Sequence, residues 1–174
     1  EAAIRTGTAS LALFRATTFE LGSASLENDL ALSFLALGNI ARADEFASSS
    51  QARFEKLNDK RWLAHVLETR ARIALAKGDQ VGSRELASSA LSLAEETHND
   101  KAAVSALLAL ARSDRAQGDP SAAAALYERA VDLARSSSRP GLIREAIGEW
   151  ADVLSEAGQH ERAAVLLREA LRAG

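Results

Sequence analysis

Cysteine and methionine are absent from this chain of 174 residues, and Pro120 and Pro140 are its only prolines. Without cysteine there is neither a disulfide framework nor a thiolate metal site. With so little proline, long stretches are free to run as helix, because proline breaks helix interiors. Aromatic residues make up only 5% of the chain, so a core has to be assembled from small and aliphatic side chains packed closely. No apolar run approaches the roughly 18 residues that span a bilayer. The opening EAAIRTGTAS has an acidic first residue and no long apolar stretch, unlike a secretory leader. The net charge is −3 with both signs interspersed. No basic block is present, which disfavours direct binding of nucleic acid.

The signatures of common active sites are missing as well. There is no GxxxxGK[ST] phosphate loop, no HExxH and no GxSxG elbow. His65, His98 and His160 fall at no ligand-type spacing, and the carboxylates are scattered over polar faces. The reading is of a protein that is not an enzyme and has no cofactor or metal site.

What the chain does have is punctuation. Gly38, Gly78, Gly118 and Gly158 recur every 40 residues, followed by Asn39, Asp79, Asp119 and Gln159. A constant period of this size marks a stacked repeat array. Glycine supplies the left-handed residue that ends a helix, and a polar residue after it caps the next. Pro120 directly after Asp119 fits the first position of a helix. This spacing predicts helix pairs. The first members run over about 23–37, 61–77, 101–117 and 141–157, and the second members over about 40–57, 80–98, 120–137 and 160–173. Gly22-Ser23, Asn58-Asp59, Asn99-Asp100 and Ser138-Arg139-Pro140-Gly141 read as the turns between pairs. Residues 2–20 read as an unpaired second-type helix, giving about nine helices. The repeats fall at about 21–59, 60–100, 101–140 and 141–174. A first residue of Glu and an end at a finishing helix suggest a single repeat domain excised from a larger protein.

Aligned on the period, small residues repeat. Ala31, Ala71, Ala111 and Ala151 stand before the glycines, and Ala43, Ser83, Ala123, Ala163 and Ser50, Ala90, Ala130, Ala170 after them. Leu67, Leu107 and Ile147 on the first helices, and Phe46, Leu86, Leu126 and Leu166 on the second, interleave at helical spacing. The third copy reads Leu107, Ala111, Gly118-Asp119, Ala123, Tyr127, Ala130-Val131. The fourth reads Ile147, Ala151, Gly158-Gln159, Ala163, Leu167, Ala170-Leu171. This pattern resembles the tetratricopeptide repeat over nearly the whole chain. The usual period of that family is about 34 residues, so the resemblance is to its long form, as in bacterial multidomain signalling and transcriptional regulators.

The resemblance implies an all-α, right-handed superhelical solenoid whose first helices line a concave, ligand-binding face. Carried onto this sequence, the inner face takes in Asn28, Leu32 and Leu35, then His65, Glu68, Arg72 and Leu75. It continues through Leu108, Arg112 and Arg115 to Glu145, Asp152 and Glu156. Arg72 and Arg112 hold equivalent positions in adjacent repeats, so the trough reads as basic in its middle and acidic at its end. The alternative reading pairs Arg112 with Asp152 internally. Arg70 and Asp114 interrupt the apolar stripes, and their mutual pairing is one expectation. Trp150 reads as core and Trp62 as a staple on the turn before it. The implied partner is a protein or peptide, or an adjacent domain of the same chain, bound in the cytoplasm. The alternative is an assembly scaffold that self-associates through exposed repeat ends.

Overall fold

A computed structural model describes residues 10–12 and 19–172. Among the described residues the chain is an all-α helical-repeat solenoid. Its helices are α1 (Glu20–Ala36), α2 (Ile40–Lys56), α3 (Lys60–Ala76), α4 (Gln80–Glu96), α5 (Asp100–Ala116), α6 (Pro120–Ser136), α7 (Pro140–Glu156) and α8 (His160–Arg172). Residues 10–12 are helical too, and the remainder of the helix expected over 2–20 lies outside the described residues. Gly22-Ser23, read above as a turn, instead belongs to the first turn of α1, because the residue that opens this helix is Phe19.

The true punctuation is twice as fine as the glycines suggest. A left-handed residue occurs every 20 positions. Gly38, Gly78, Gly118 and Gly158 have φ of 73°, 82°, 83° and 75°, and Asn58, His98 and Ser138 have 52°, 48° and 53°. All but Ser138, which makes only the first of two bonds, end a helix in the same way. At Gly118 the glycine N–H donates to the Arg115 carbonyl at 3.1 Å, and the Asp119 N–H donates to the Asp114 carbonyl at 2.9 Å. This is the doubled closure that satisfies the last carbonyls of a helix. Asp119 then turns donor into acceptor: its Oδ1 takes the Ala122 N–H at 2.9 Å and so caps α6. Asn39, Asp59, Asp79 and Asn99 cap their helices likewise. One residue therefore finishes one helix and starts the next, which fixes both the spacing and the reversal of direction.

Small residues set how closely the helices approach. Ala31, Ala71, Ala111 and Ala151 are all fully buried. Where serine replaces alanine in such a slot, its hydroxyl is satisfied. Ser50 donates to the Ala24 carbonyl at 2.7 Å, and Ser83 shares a hydrogen bond with Ser113 at 2.7 Å. Trp150 is buried and stacks on Tyr127, with ring centroids 5.1 Å apart. Trp62 stacks on Phe54 at 5.8 Å across the Asn58-Asp59 turn, fastening the two helices that the turn joins.

The two helix sets pack differently. Each odd-numbered helix packs against its hairpin partner and also the next odd-numbered helix, whereas among the described residues no even-numbered helix brings its backbone against another even one. An array whose members are closer on one side bends toward that side. The odd helices therefore form the inner, concave wall and the even helices the outer one.

The turn geometry yields a stability prediction. A Cβ at Gly118 would meet nothing within 4 Å, so Gly118→Ala carries only the backbone penalty of a left-handed alanine. We expect a loss of about 1–2 kcal/mol. Ser138→Gly relieves the same penalty in the opposite direction and should gain up to about 1 kcal/mol, less the entropy of glycine. Urea unfolding midpoints of the two variants check both signs.

Candidate functional site

The concave wall carries a connected row of charged side chains. At its centre Arg112 of α5 grips Glu149 of α7 with two parallel hydrogen bonds, Nε to Oε1 at 2.7 Å and Nη2 to Oε2 at 2.5 Å. The buried Tyr127 of α6 donates its hydroxyl to the same Oε1 at 3.1 Å. Burial first, and then the Glu149 charge, push the Tyr127 phenol up to about 12, so it remains a donor at every ordinary pH. Burial disfavours the Arg112 charge, but Glu149 more than compensates and holds the guanidinium protonated. One helical turn on, Arg115 pairs with Glu156 of α7.

Glu68 of α3 sits beside this clamp. It is buried, with 8% of its surface exposed. The nearest cations, Arg72 on its own helix and Arg112, both stand 3.9 Å away, beyond hydrogen-bond reach. Desolvation lifts its carboxyl to about 7; Arg72 and Arg112 oppose the shift, and Glu145 and Glu149 reinforce it. His65, one turn earlier, is held neutral by burial and by the Lys101 and Arg61 charges. Its Nε2 lies 3.1 Å from Asn99 Nδ2. Asn99 Oδ1 meanwhile caps α5 at Ala102, so His65 steadies the start of the neighbouring helix. Leu35, Arg72, Leu75, Ala76 and Arg112 border an open cavity of about 410 Å³ on this wall.

The remaining inner-face candidates divide by exposure. Leu32 is half-buried, and Glu145 and Asp152 are exposed. Leu108, expected on the ligand side, is instead fully buried in the core with Tyr127 and Ile147. The helix that carries it is covered by α3, α4, α6 and α7, which leaves little of its circumference open. Asn28 is also buried, and its Oδ1 accepts no hydrogen bond.

Two expected pairings and one charge pattern are corrected. Arg112 does not pair with Asp152: its partner is Glu149, a residue the family offsets passed over. The only sequence signal for Glu149 was an acid standing where two other repeats have Thr69 and Ala109. The trough is not basic in its middle, because Glu149 and Glu156 neutralise two of its arginines. Arg70 and Asp114 do not meet. Arg70 donates to Gln51 of α2, and the buried Asp114 pairs with Arg84 of α4. Each of the two turns back onto the second helix of its own preceding repeat, so the two side chains address different neighbours.

No known family matches the chain, and no curated protein matches it. Solved structures do share its fold. A Rap protein complexed with competence and sporulation factor superposes with a TM-score of 0.79 at 13% identity, covering 88% of this chain and 43% of that one. Aspartyl phosphate phosphatase F from Bacillus subtilis gives 0.75 at 12% identity, over 88% and 40%. A putative kinesin light chain with nearly identical TPR-like repeats, from Podosopora anserina, gives 0.66 at 20% identity, over 98% and 84%. The chain thus spans less than half the length of the first two. These likenesses define the class: the protein is a TPR-like helical repeat array, as the repeat pattern implied.

Two predictions follow from the charged groups. Removing Arg84 leaves Asp114 buried and uncompensated. Since Arg84 itself is about half exposed, Arg84→Met should cost about 2 kcal/mol, below the range for a fully buried pair. A double-mutant cycle should show coupling for Arg84 with Asp114 and none for Arg70 with Asp114. The second concerns pH. The folded-state pKa of Glu68 is raised above its ordinary 4.5 to about 7, so its contribution to stability is complete below pH 4.5 and is lost as pH rises through about 7. Glu68→Gln should therefore gain on the native protein by up to about 3 kcal/mol between pH 5 and pH 8. His65, lowered, acts oppositely: its contribution is complete above 6.5 and lost as pH falls. Chemical denaturation at several pH values separates the two.

Proposed function

We propose that this chain is a protein- or peptide-binding module that holds an extended segment along its concave wall. In this reading it serves as a regulatory or sensor part of a larger cytoplasmic signalling protein of bacterial type, and it acts by binding, not by catalysis. The observation that carries the reading is the alignment of side chains from α3, α5 and α7 into one row, with Glu68, Arg112 and Glu149 in immediate succession. A segment laid across the odd helices meets these side chains in order. Support comes from the shared fold of the Rap protein solved with competence and sporulation factor. Binding that favours one curvature of the array would bias any attached domain by its differential affinity for the two shapes.

A second reading, self-association as an assembly scaffold, is favoured by α8. Val165, Leu167 and Leu171 are 60%, 43% and 82% exposed, whereas Ala47, Ala87 and Tyr127, which correspond to Leu167, are fully buried beneath the following helix. Photo-crosslinking distinguishes the readings. A photoreactive residue at Arg72 or Asp152 should capture the partner, and the same residue at Ser89 or Ala125 on the outer wall should not. Capture from the outer wall only, or adducts between copies of the chain through α8, would reject the concave-wall reading.

A further inference from the structure

The charge balance of the trough is settled by its internal pairs. Arg112 is committed to Glu149 and Arg115 to Glu156. Of the inner-face candidates named from the sequence, that leaves Glu68, Glu145, Asp152 and Arg72 without a hydrogen-bonded counterion. Three are acids and one is a base. The sequence expectation of a basic middle is thereby reversed. The basic side chains Arg61 and Lys101 act on His65, one turn nearer the starts of α3 and α5.

Glu68 gives this imbalance a focus. A carboxylate set this deep is costly unless it is paired and hydrogen-bonded, yet neither arginine near it comes within bonding distance, and its oxygens stay open to the trough. A tenth of its side-chain surface remains open, on the wall that Arg72, Arg112, Glu145 and Glu149 share. The charged groups acting on it come from α3 (Arg72), α5 (Arg112) and α7 (Glu145 and Glu149). The arrangement is not one for a metal ion: among the described residues no group of three or more His, Asp or Glu side chains is placed to hold one. The missing partner has the chemistry of an organic cation that brings its own N–H donors.

We infer that the trough takes a basic side chain, lysine or arginine, of an extended peptide, seated between the buried carboxyl of Glu68 and the exposed carboxylate of Glu145. This rests on the concave-wall reading above and names the chemistry of its ligand. The basic group supplies the donors that Glu68 lacks, while Arg112 remains held by Glu149 and keeps the floor rigid. Arg72 and the apolar Leu35 and Leu75, which border the neighbouring cavity, give the residues flanking the basic one an acidic or aliphatic preference. Binding ionises Glu68, so uptake of the peptide releases a proton near neutral pH.

A display library of random heptapeptides, panned at pH 8 on the 174-residue chain, provides the test. The expected result is enrichment of peptides carrying a lysine or arginine. Glu68→Gln with Glu145→Gln should abolish that enrichment, and both changes are near-isosteric and remove no existing hydrogen bond. A synthetic copy of an enriched peptide should bind about tenfold more tightly at pH 8 than at pH 6, because a carboxyl titrating near 7 is mostly ionised only at the higher value. In Glu68→Gln this pH dependence should vanish. Enriched peptides that lack basic residues but are lost on a Leu32→Arg change would overturn the inference and leave concave-wall binding intact. A basic preference unaltered by the double change would also overturn it. No enrichment at all would remove both readings.

Discussion

The architecture depends on one repeated event in the backbone: a residue forced left-handed every 20 positions, followed at five of the seven reversals by a capping side chain. The left-handed residue closes the finished helix, and the capping oxygen opens the next within a single peptide unit. No connecting loop separates them, so each reversal of direction has little freedom. Uniform helices follow: α1 to α7 each have 17 residues. Uniform helices with equivalent side chains at equivalent heights are what allow a row such as Glu68, Arg112 and Glu149 to form across three of them.

Much of this architecture was legible in the sequence. The glycine interval announced the array, the alanine columns announced close packing, and the Trp62 and Trp150 roles followed from their positions beside a turn and on an apolar stripe. The finer interval of 20 was hidden because Asn58, His98 and Ser138 do the work of glycine without its unmistakable signature. Asparagine and histidine are enriched in the left-handed region among non-glycine residues, and serine is not. Nothing in the letters separates a serine in that conformation from one in a helix end.

The electrostatic layout was less legible, for a reason that Glu149 makes plain. Position offsets say which side chains share a wall, but not which neighbour each one selects. Arg112 has Glu68 and Glu149 as neighbours, and bonds the acid that also accepts from Tyr127. That choice depends on side-chain length and on a buried tyrosine from a different helix. Arg70 and Asp114 failed for a related reason: adjacency in the repeat alignment is adjacency along the solenoid, whereas both residues lean toward the helix layer behind them. Leu108 shows the same limit, since a central helix is wrapped on more sides than a terminal one and exposes fewer of the positions that the repeat pattern assigns to a ligand.

The separation of the even-numbered helices has a mechanical consequence. Across their gaps run exposed ion pairs, Glu95 with Arg129, Glu128 with Arg162 and Arg135 with Glu169, each a weak tie loosened by salt. The inner wall, by contrast, is joined by direct helix contact and a half-buried clamp. Such a body is stiff along its inside and yielding along its outside, in the manner of a leaf spring. Its preferred bow is then a property of the surrounding ionic medium as well as of the fold, and dilute electrolyte should draw the outer leaves together.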